Sequence, residues 1–459
     1  MALITSISGI RGTIGGFPGD TLSPLDIVRF TTAFVKLLQE RQNRQSGLHI
    51  VVGRDARISG DMLNHLVCGT LMSMGAQVSD LGLSTTPTVE LAVPNLKADG
   101  GIILTASHNP VEWNALKLLN EKGEFISAAD GNRIIELTKS KIAYVDAMQL
   151  GTYTSHDGWI DKHIQMILEL PLVDREAIQE SKFKIAVDAV NSTGGIAVPA
   201  LLSALGVDAV YPIHCEPTGL FAHNPEPLPE HLTDLAQLVQ QKGADLGLSV
   251  DPDVDRLAII DENGNMFGEE YTLVAVADYV LRHTPGPTVS NLSSSRALAD
   301  ITERYGQTYA VAAVGEVNVV EKMKAVEAVI GGEGNGGVIY PALHYGRDAL
   351  VGIALFLTHL ATQKKTCSEV RAMYPEYVMM KTKFDLKSDT EFEKLKEKVM
   401  HEFKDQKITT VDGVKIDFQE GWVHMRKSNT EPIIRLYAEA ADKENVQRLI
   451  QNVIQTFSE

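Results

Sequence analysis

Ser107 is the first residue whose surroundings suggest chemistry. It stands in Thr105-Ala106-Ser107-His108-Asn109-Pro110, directly after the apolar run Gly101-Ile102-Ile103-Leu104. Small polar residues and a proline end such a run, so the pattern predicts a buried strand with Ser107 on a tight loop at its C-terminal end. Open α/β sheets present their ligands there. A serine hydroxyl needs an activating partner, and His108 and Lys117 lie near enough in sequence to be candidates. The same residues also suit an ordinary strand-to-helix turn. A second stretch adds weight: the apolar run Leu246-Gly247-Leu248-Ser249-Val250 leads straight into Asp251, Asp253 and Asp255. Residues two apart in extended backbone point the same way, so the three carboxylates converge. A hard divalent cation resolves their repulsion, and Mg²⁺ characteristically takes one or two carboxylates together with phosphate oxygens and water. A solvated acidic turn or a Ca²⁺ loop is the competing reading, although the glycine and distal glutamate of an EF-hand are not at the required spacing.

Three further loops carry suitable groups. Ser8 to Gly16 is glycine-rich, lets backbone approach a ligand, and holds Arg11, a bidentate donor. Residues 331–337 are Gly-Gly-Glu-Gly-Asn-Gly-Gly, with Glu333 and Asn335 able to hydrogen-bond two adjacent hydroxyls. Residues 426–435 bring together Arg426, Ser428, Asn429, Thr430 and Arg435, whose guanidinium, hydroxyl and amide groups can chelate phosphate oxygens. A plain turn is the alternative for each.

Together, Thr105–Pro110, Asp251–Arg256, 331–337 and 426–432 resemble, in order, the phosphoserine, metal, sugar-binding and phosphate-binding loops of the α-D-phosphohexomutases. The resemblance is greatest to bacterial phosphoglucosamine mutases, with phosphomannomutase/phosphoglucomutase close. It implies a phosphoserine at Ser107, Mg²⁺ held by Ser107, Asp251, Asp253 and Asp255, and Arg256 stabilising charge on the transferring group. It further implies a hexose 1,6-bisphosphate as intermediate and activator, and Arg11, Lys117 or His108 as proton carrier. The expected reaction interconverts hexose 6-phosphate and 1-phosphate, glucosamine being the favoured sugar. Members of the family commonly carry Gly-Glu-x-Ser-Gly-His in the sugar loop; here Asn335 replaces the serine and Gly337 stands in the histidine position. A metal-dependent sugar phosphatase and a non-catalytic sugar-phosphate sensor are the readings from other classes. The Gly-x-Ser-x-Gly elbow of serine hydrolases is absent around Ser107.

Composition narrows the partners. The net charge of −17 repels a nucleic-acid backbone, and no basic run offsets it. A phosphate site must therefore be assembled locally from arginine, backbone N–H groups and metal. Cys68, Cys215 and Cys367 are far apart without CxxC spacing, which suits a reducing compartment rather than a disulfide framework or zinc site. No stretch approaches membrane-spanning length, and the first residues lack a basic segment followed by an apolar one, so a cytoplasmic location is expected. The expected partner is a small-molecule sugar phosphate, with the protein a monomer or homodimer.

The elements that must position these groups follow a rhythm. Leu48 to Val52, Lys184 to Val187 and Thr288 to Leu292 are apolar strands, each leading into a turn of small polar residues and then a helical pattern. Such alternation predicts βαβ units and mixed sheets. Three similar α/β domains and a C-terminal α+β domain around a cleft are expected, at residues 1–150, 151–255, 256–368 and 369–459. Tyr144 to Gly158 reads as a linker, and the proline-rich segment 212–229 as an extended loop.

Overall fold

Ser23 opens the first long helix, Pro24–Gln42, with a capping box: its side chain accepts from the Asp26 backbone N–H while the Asp26 carboxylate accepts from Ser23. The helix covers a sheet whose central strands are apolar on both faces, as strands sandwiched between helices must be. In this computed structural model, which describes residues 3–6, 9–44, 46–386, 388–428 and 433–458, four sheets follow in order.

The first sheet comprises β1 (Leu3–Ser6), β2 (Gly9–Thr13), β3 (His49–Arg54), β4 (Gln77–Leu83), β5 (Gly100–Leu104), β6 (Trp113–Leu119) and β7 (Tyr153–Ser155), in the order β1-β2-β6-β5-β3-β4-β7. The second contains β8 (Lys184–Asp188), β9 (Ala209–Ile213), β10 (Leu246–Val250) and β11 (Leu257–Asp261), ordered β11-β10-β8-β9. The third contains β12 (Thr288–Asn291), β13 (Tyr309–Ala312), β14 (Ile330–Glu333) and β15 (Gly337–Ile339), ordered β13-β12-β14-β15. One plan underlies all three. Its first three strands (β3–β5, β8–β10 and β12–β14) are parallel with the first in the middle, and its fourth (β6, β11 and β15) adds antiparallel to the third; β1, β2 and β7 are additions to the first sheet. The three similar α/β units expected from the rhythm are therefore topological copies.

The fourth sheet is antiparallel throughout: β16 (Val378–Asp385), β17 (Lys407–Thr409), β18 (Val414–Asp417), β19 (Gly421–Lys427) and β20 (Ile433–Ala440), ordered β16-β20-β19-β18-β17. Its core takes in residues of the helices Asp389–Glu402 and Lys443–Ser458. The helices Glu269–His283 and Ala349–Gln363 are buried almost all round, because both contribute to one apolar core shared by the second and third units.

Two stretches differ from expectation. Residues 144–158 are not merely a link, since β7 adds in parallel to β4 and the Tyr153 hydroxyl donates to Asp80 Oδ2 at 2.8 Å. Three residues are too few to show a strand period. The second sheet continues past residue 255, because β11 pairs along its whole length with β10. Among the described residues, no helix is long and apolar enough to cross a membrane.

Candidate active site

Strand β5 delivers Ser107 and strand β10 delivers the aspartates, each from its C-terminal end. The fold brings the two together. The Ser107 hydroxyl donates to Asp251 Oδ2 at 2.7 Å, across 144 residues of chain. Ser107 sits in the left-handed backbone region at φ +50°, which aims its side chain out of the strand direction, and its N–H is satisfied by Thr105 Oγ1 at 2.9 Å. Val254, a β-branched residue at φ +63°, plays a matching part in the acidic loop. That conformation is costly for valine and persists only when its surroundings enforce it.

Asp251, Asp253 and Asp255 each present a carboxylate oxygen, all within 4.8 Å of one another, and all three residues are fully buried. Asp251 Oδ1 accepts from the backbone of Asp255 and Arg256, both at 3.1 Å. Burial, together with Asp255 and Asp253, pushes the Asp251 carboxyl well above its ordinary range. Asp253 Oδ1 and Asp255 Oδ1 are buried and accept no hydrogen bond. Two orphaned anionic oxygens beside a third carboxylate and a serine hydroxyl are the donor set of a hard divalent cation, so these residues fit one.

Relatives carry the same architecture. Models of the phosphoglucomutase/phosphomannomutase domains match in chain order: α/β/α domains I, II and III over residues 3–144, 161–264 and 268–377, and the C-terminal domain over 379–456. A phosphoglucomutase/phosphomannomutase of Thermococcus kodakarensis is 36% identical over 98% of both chains. A phosphoglucosamine/phosphogalactosamine mutase of Sulfurisphaera tokodaii is 34% identical over the whole of both. The crystal structure of a phosphoglucomutase/phosphomannomutase family protein from Burkholderia thailandensis shares the fold at 24% identity, with a TM-score of 0.85 over 99% of this chain and 97% of that one. The chain belongs to the phosphoglucomutase/phosphomannomutase family. It is a phosphohexomutase, an isomerase by class.

The phosphohexomutase surrounds Ser107 with nitrogen bases, cationic except for His108. His108 Nδ1 lies 3.3 Å from Ser107 Oγ. Arg256, burial and Arg11 hold its imidazole well below the usual histidine range, which keeps it neutral. Arg11, on β2, donates to Asn109 Oδ1 at 3.3 Å, and so reaches the serine loop. Lys117, on β6, is buried and not a surface lysine: its ammonium donates to Asp253 Oδ2 at 2.7 Å and lies 3.5 Å from Asp255 Oδ2. Burial alone lowers a lysine, yet these carboxylates outweigh it, so Lys117 stands above its ordinary value rather than below it. Arg256 Nε is within 3.9 Å of Asp255.

The loop 331–337, expected to bind the sugar, is the turn from β14 to β15. Both oxygens of Glu333 are engaged: Oε2 accepts from Arg347 at 2.9 Å, and Oε1 from Asn291 at 2.9 Å and the Gly315 N–H at 3.1 Å. Asn335 Oδ1 accepts from Gly337 N–H at 3.3 Å and shapes the turn. A side chain at 337 would place its Cβ 2.4 Å from Arg347 Cδ, so Arg347 fills space that a histidine there would need. In the C-terminal sheet Arg426 and Arg435 are direct cross-strand partners, and residues so paired share a face. Two guanidinium groups set opposite one another favour an anion between them. Ser428 closes the turn through its N–H to Ile433 O at 2.9 Å. Asn429 and Thr430 lie outside the described residues.

Sequence reading missed three residues. Arg57 donates to the carbonyl oxygens of Ser107, Asn109 and Pro110, each at 2.6 Å, and of Trp113 at 3.0 Å, so one buried guanidinium pins the serine loop. Thr86 donates to Asp253 Oδ2 at 2.6 Å. Arg347 contacts Asp255 at 2.6 Å, Glu316 at 3.0 Å and Glu333 at 2.9 Å, joining the metal loop to the sugar loop. The only signal was charge at the end of an apolar strand for Arg57, and the pair Arg347-Asp348 before a helix.

Proposed function

We propose that this phosphohexomutase interconverts glucosamine 6-phosphate and glucosamine 1-phosphate through a phosphoserine at Ser107. The observation that carries the reading is the Ser107 hydroxyl 2.7 Å from Asp251, inside a carboxylate trio that still has two unpaired oxygens. The free hydroxyl of the sugar phosphate attacks phosphorus, the Ser107 Oγ–P bond breaks, and a hexose 1,6-bisphosphate forms. The intermediate turns end for end, and Ser107 Oγ then takes the other phosphoryl group. Mg²⁺ held by Asp251, Asp253, Asp255 and the serine phosphate would supply Lewis-acid neutralisation of the phosphoryl oxygens. His108 beside Ser107 Oγ would receive a proton once a dianionic serine phosphate offsets Arg256 and Arg11, which hold it neutral without one; Arg11 would stabilise the reacting oxygen, and Lys117 would hold Asp253 and Asp255 in place. Arg426 and Arg435 would hold the phosphate that is not reacting.

The glucosamine assignment draws on the Sulfurisphaera relative. The Thermococcus relative favours a second reading, mannose and glucose phosphates. Turnover of glucosamine, mannose and glucose 1-phosphates, measured side by side, decides: a preference for either neutral sugar overturns the first choice. Ser107→Ala is expected to lose about 1,000-fold or more in kcat while keeping sugar phosphate affinity. Release of inorganic phosphate in step with substrate loss would indicate a phosphatase instead. Intact mass after incubation with a hexose 1,6-bisphosphate should rise by one phosphoryl group, mapped to the Ser107 peptide.

A further inference from the structure

A second cluster of metal-ligating atoms lies at the end of β8, apart from the aspartate trio. Asp188 Oδ2 is 3.2 Å from His214 Nδ1 and 3.0 Å from His223 Nε2, and the three ligand atoms all fall within 4.8 Å of one another. Asp188 is buried, while both imidazoles keep one partly exposed edge. One carboxylate with two imidazoles is a set that Zn²⁺ and neighbouring transition cations accept, and that Mg²⁺ does not favour.

The outer contacts point the same way. His223 Nδ1 is 2.8 Å from the Asn224 carbonyl oxygen, which can only accept, so Nδ1 must carry the proton. In the neutral ring Nε2 then bears a lone pair, aimed at an anionic oxygen 3.0 Å away. Two acceptors facing each other need a cation between them, either a proton or a metal. Asp188 Oδ1 is in turn fixed by the Val190 N–H at 2.9 Å. A ligating histidine whose second nitrogen donates to a backbone carbonyl, beside a carboxylate held from behind, is the usual outer support of a metal site.

From this geometry we propose that Asp188, His214 and His223 form a binding site for a transition cation of the Zn²⁺ type, separate from the catalytic Mg²⁺ site. Such a cation ties both ends of the loop 214–223 to β8. Within that loop, Gly219 at φ +71° packs so closely that a Cβ would sit 1.9 Å from the Ala56 carbonyl oxygen, and Phe221 lies under the Arg57 guanidinium at 5.0 Å. Arg57 is the residue that pins the Ser107 loop. The site therefore braces the catalytic serine from the second unit.

The test is Zn²⁺ titration of chelator-stripped protein in saturating Mg²⁺. Wild type and Asp251→Asn should each bind one equivalent per chain, and His223→Gln should bind about 100-fold more weakly or not at all. Co²⁺ loaded in place of Zn²⁺ should give visible bands of nitrogen and oxygen ligation without thiolate charge transfer. Zn²⁺ should also protect His214 and His223 of the wild-type protein from carbethoxylation, read by peptide mass, a measurement that needs no variant to fold. Absence of a bound equivalent, its loss in Asp251→Asn with retention in His223→Gln, or unprotected histidines would each overturn the proposal.

Discussion

Arg347 shows how much one side chain decides here. Its guanidinium is buried against three carboxylates, two of which, Asp255 and Glu333, belong to the aspartate loop after β10 and the turn from β14 to β15. Burial disfavours its charge, yet Asp255, Glu316 and Glu333 more than compensate and hold it well above the ordinary value. Arg347→Ala would leave those anions without their shared partner, a loss expected to cost about 3–5 kcal/mol because an uncompensated buried charge is penalised more than a pair is rewarded. Lysine cannot replace it, having no planar fork to reach three acceptors. Urea unfolding of Arg347→Ala and Arg347→Lys checks this; stability within experimental error of wild type in either would refute the bridging role. The same residue accounts for Gly337, since a larger side chain there would collide with Arg347 Cδ.

At the scale of elements, the helix Ala349–Gln363 fastens the second and third units together. Asp348 caps it, accepting from Leu350 N–H at 2.8 Å and Val351 N–H at 3.3 Å, while its other oxygen takes His163 Nε2 at 2.9 Å. Near the other end His359 is wholly buried, and burial outweighs the pull of Asp278 to push its imidazole down to about 4. The unfolded chain, with an ordinary histidine near 6.5, binds a proton that the folded chain refuses, so this group's contribution to stability is lost as pH falls from about 6.5 to about 4. At pH 5 the loss is about 2 kcal/mol. Unfolding of wild type and His359→Gln at pH 7 and pH 5 should show a drop smaller by that amount in the variant. Equal drops would remove His359 from the account.

Across the whole molecule, three topological copies place three different loops at one equivalent position. Ser107, the aspartate trio and the sugar loop each join the third strand of a unit to its fourth, at β5–β6, β10–β11 and β14–β15. The fourth unit hangs from the third through Ser293 Oγ with His424 Nδ1 at 2.9 Å, Lys415 Nζ to Leu292 O at 3.0 Å, and Arg296 N–H to Glu439 at 2.9 Å. It carries the arginine pair. A substrate spanning from Ser107 to Arg426 should therefore draw the fourth unit inward. Small-angle scattering should show a smaller radius of gyration with sugar phosphate bound. Arg426→Ala should abolish the change and raise KM about tenfold or more, since a charge-assisted bond contributes about 1.5–3 kcal/mol. Closure unaltered in that variant would place the phosphate elsewhere.

Local pattern alone made legible the strand-turn-helix rhythm of the α/β units and the loops that carry Ser107, the aspartate trio, Glu333 and Arg426, because those features depend on side-chain period, turn residues and charge within a few positions. It did not determine the companions of Ser107. Asp251 lies 144 residues away and the Arg57 clamp 50, and no short-range pattern encodes a contact made by packing two sheets together. The raised lysine at 117, the arginine in place of a sugar-loop histidine, and the short edge strand β7 were likewise decided by tertiary structure. Burial and the neighbours it imposes set a charge's behaviour, and a three-residue strand exists only because β4 offers it an edge.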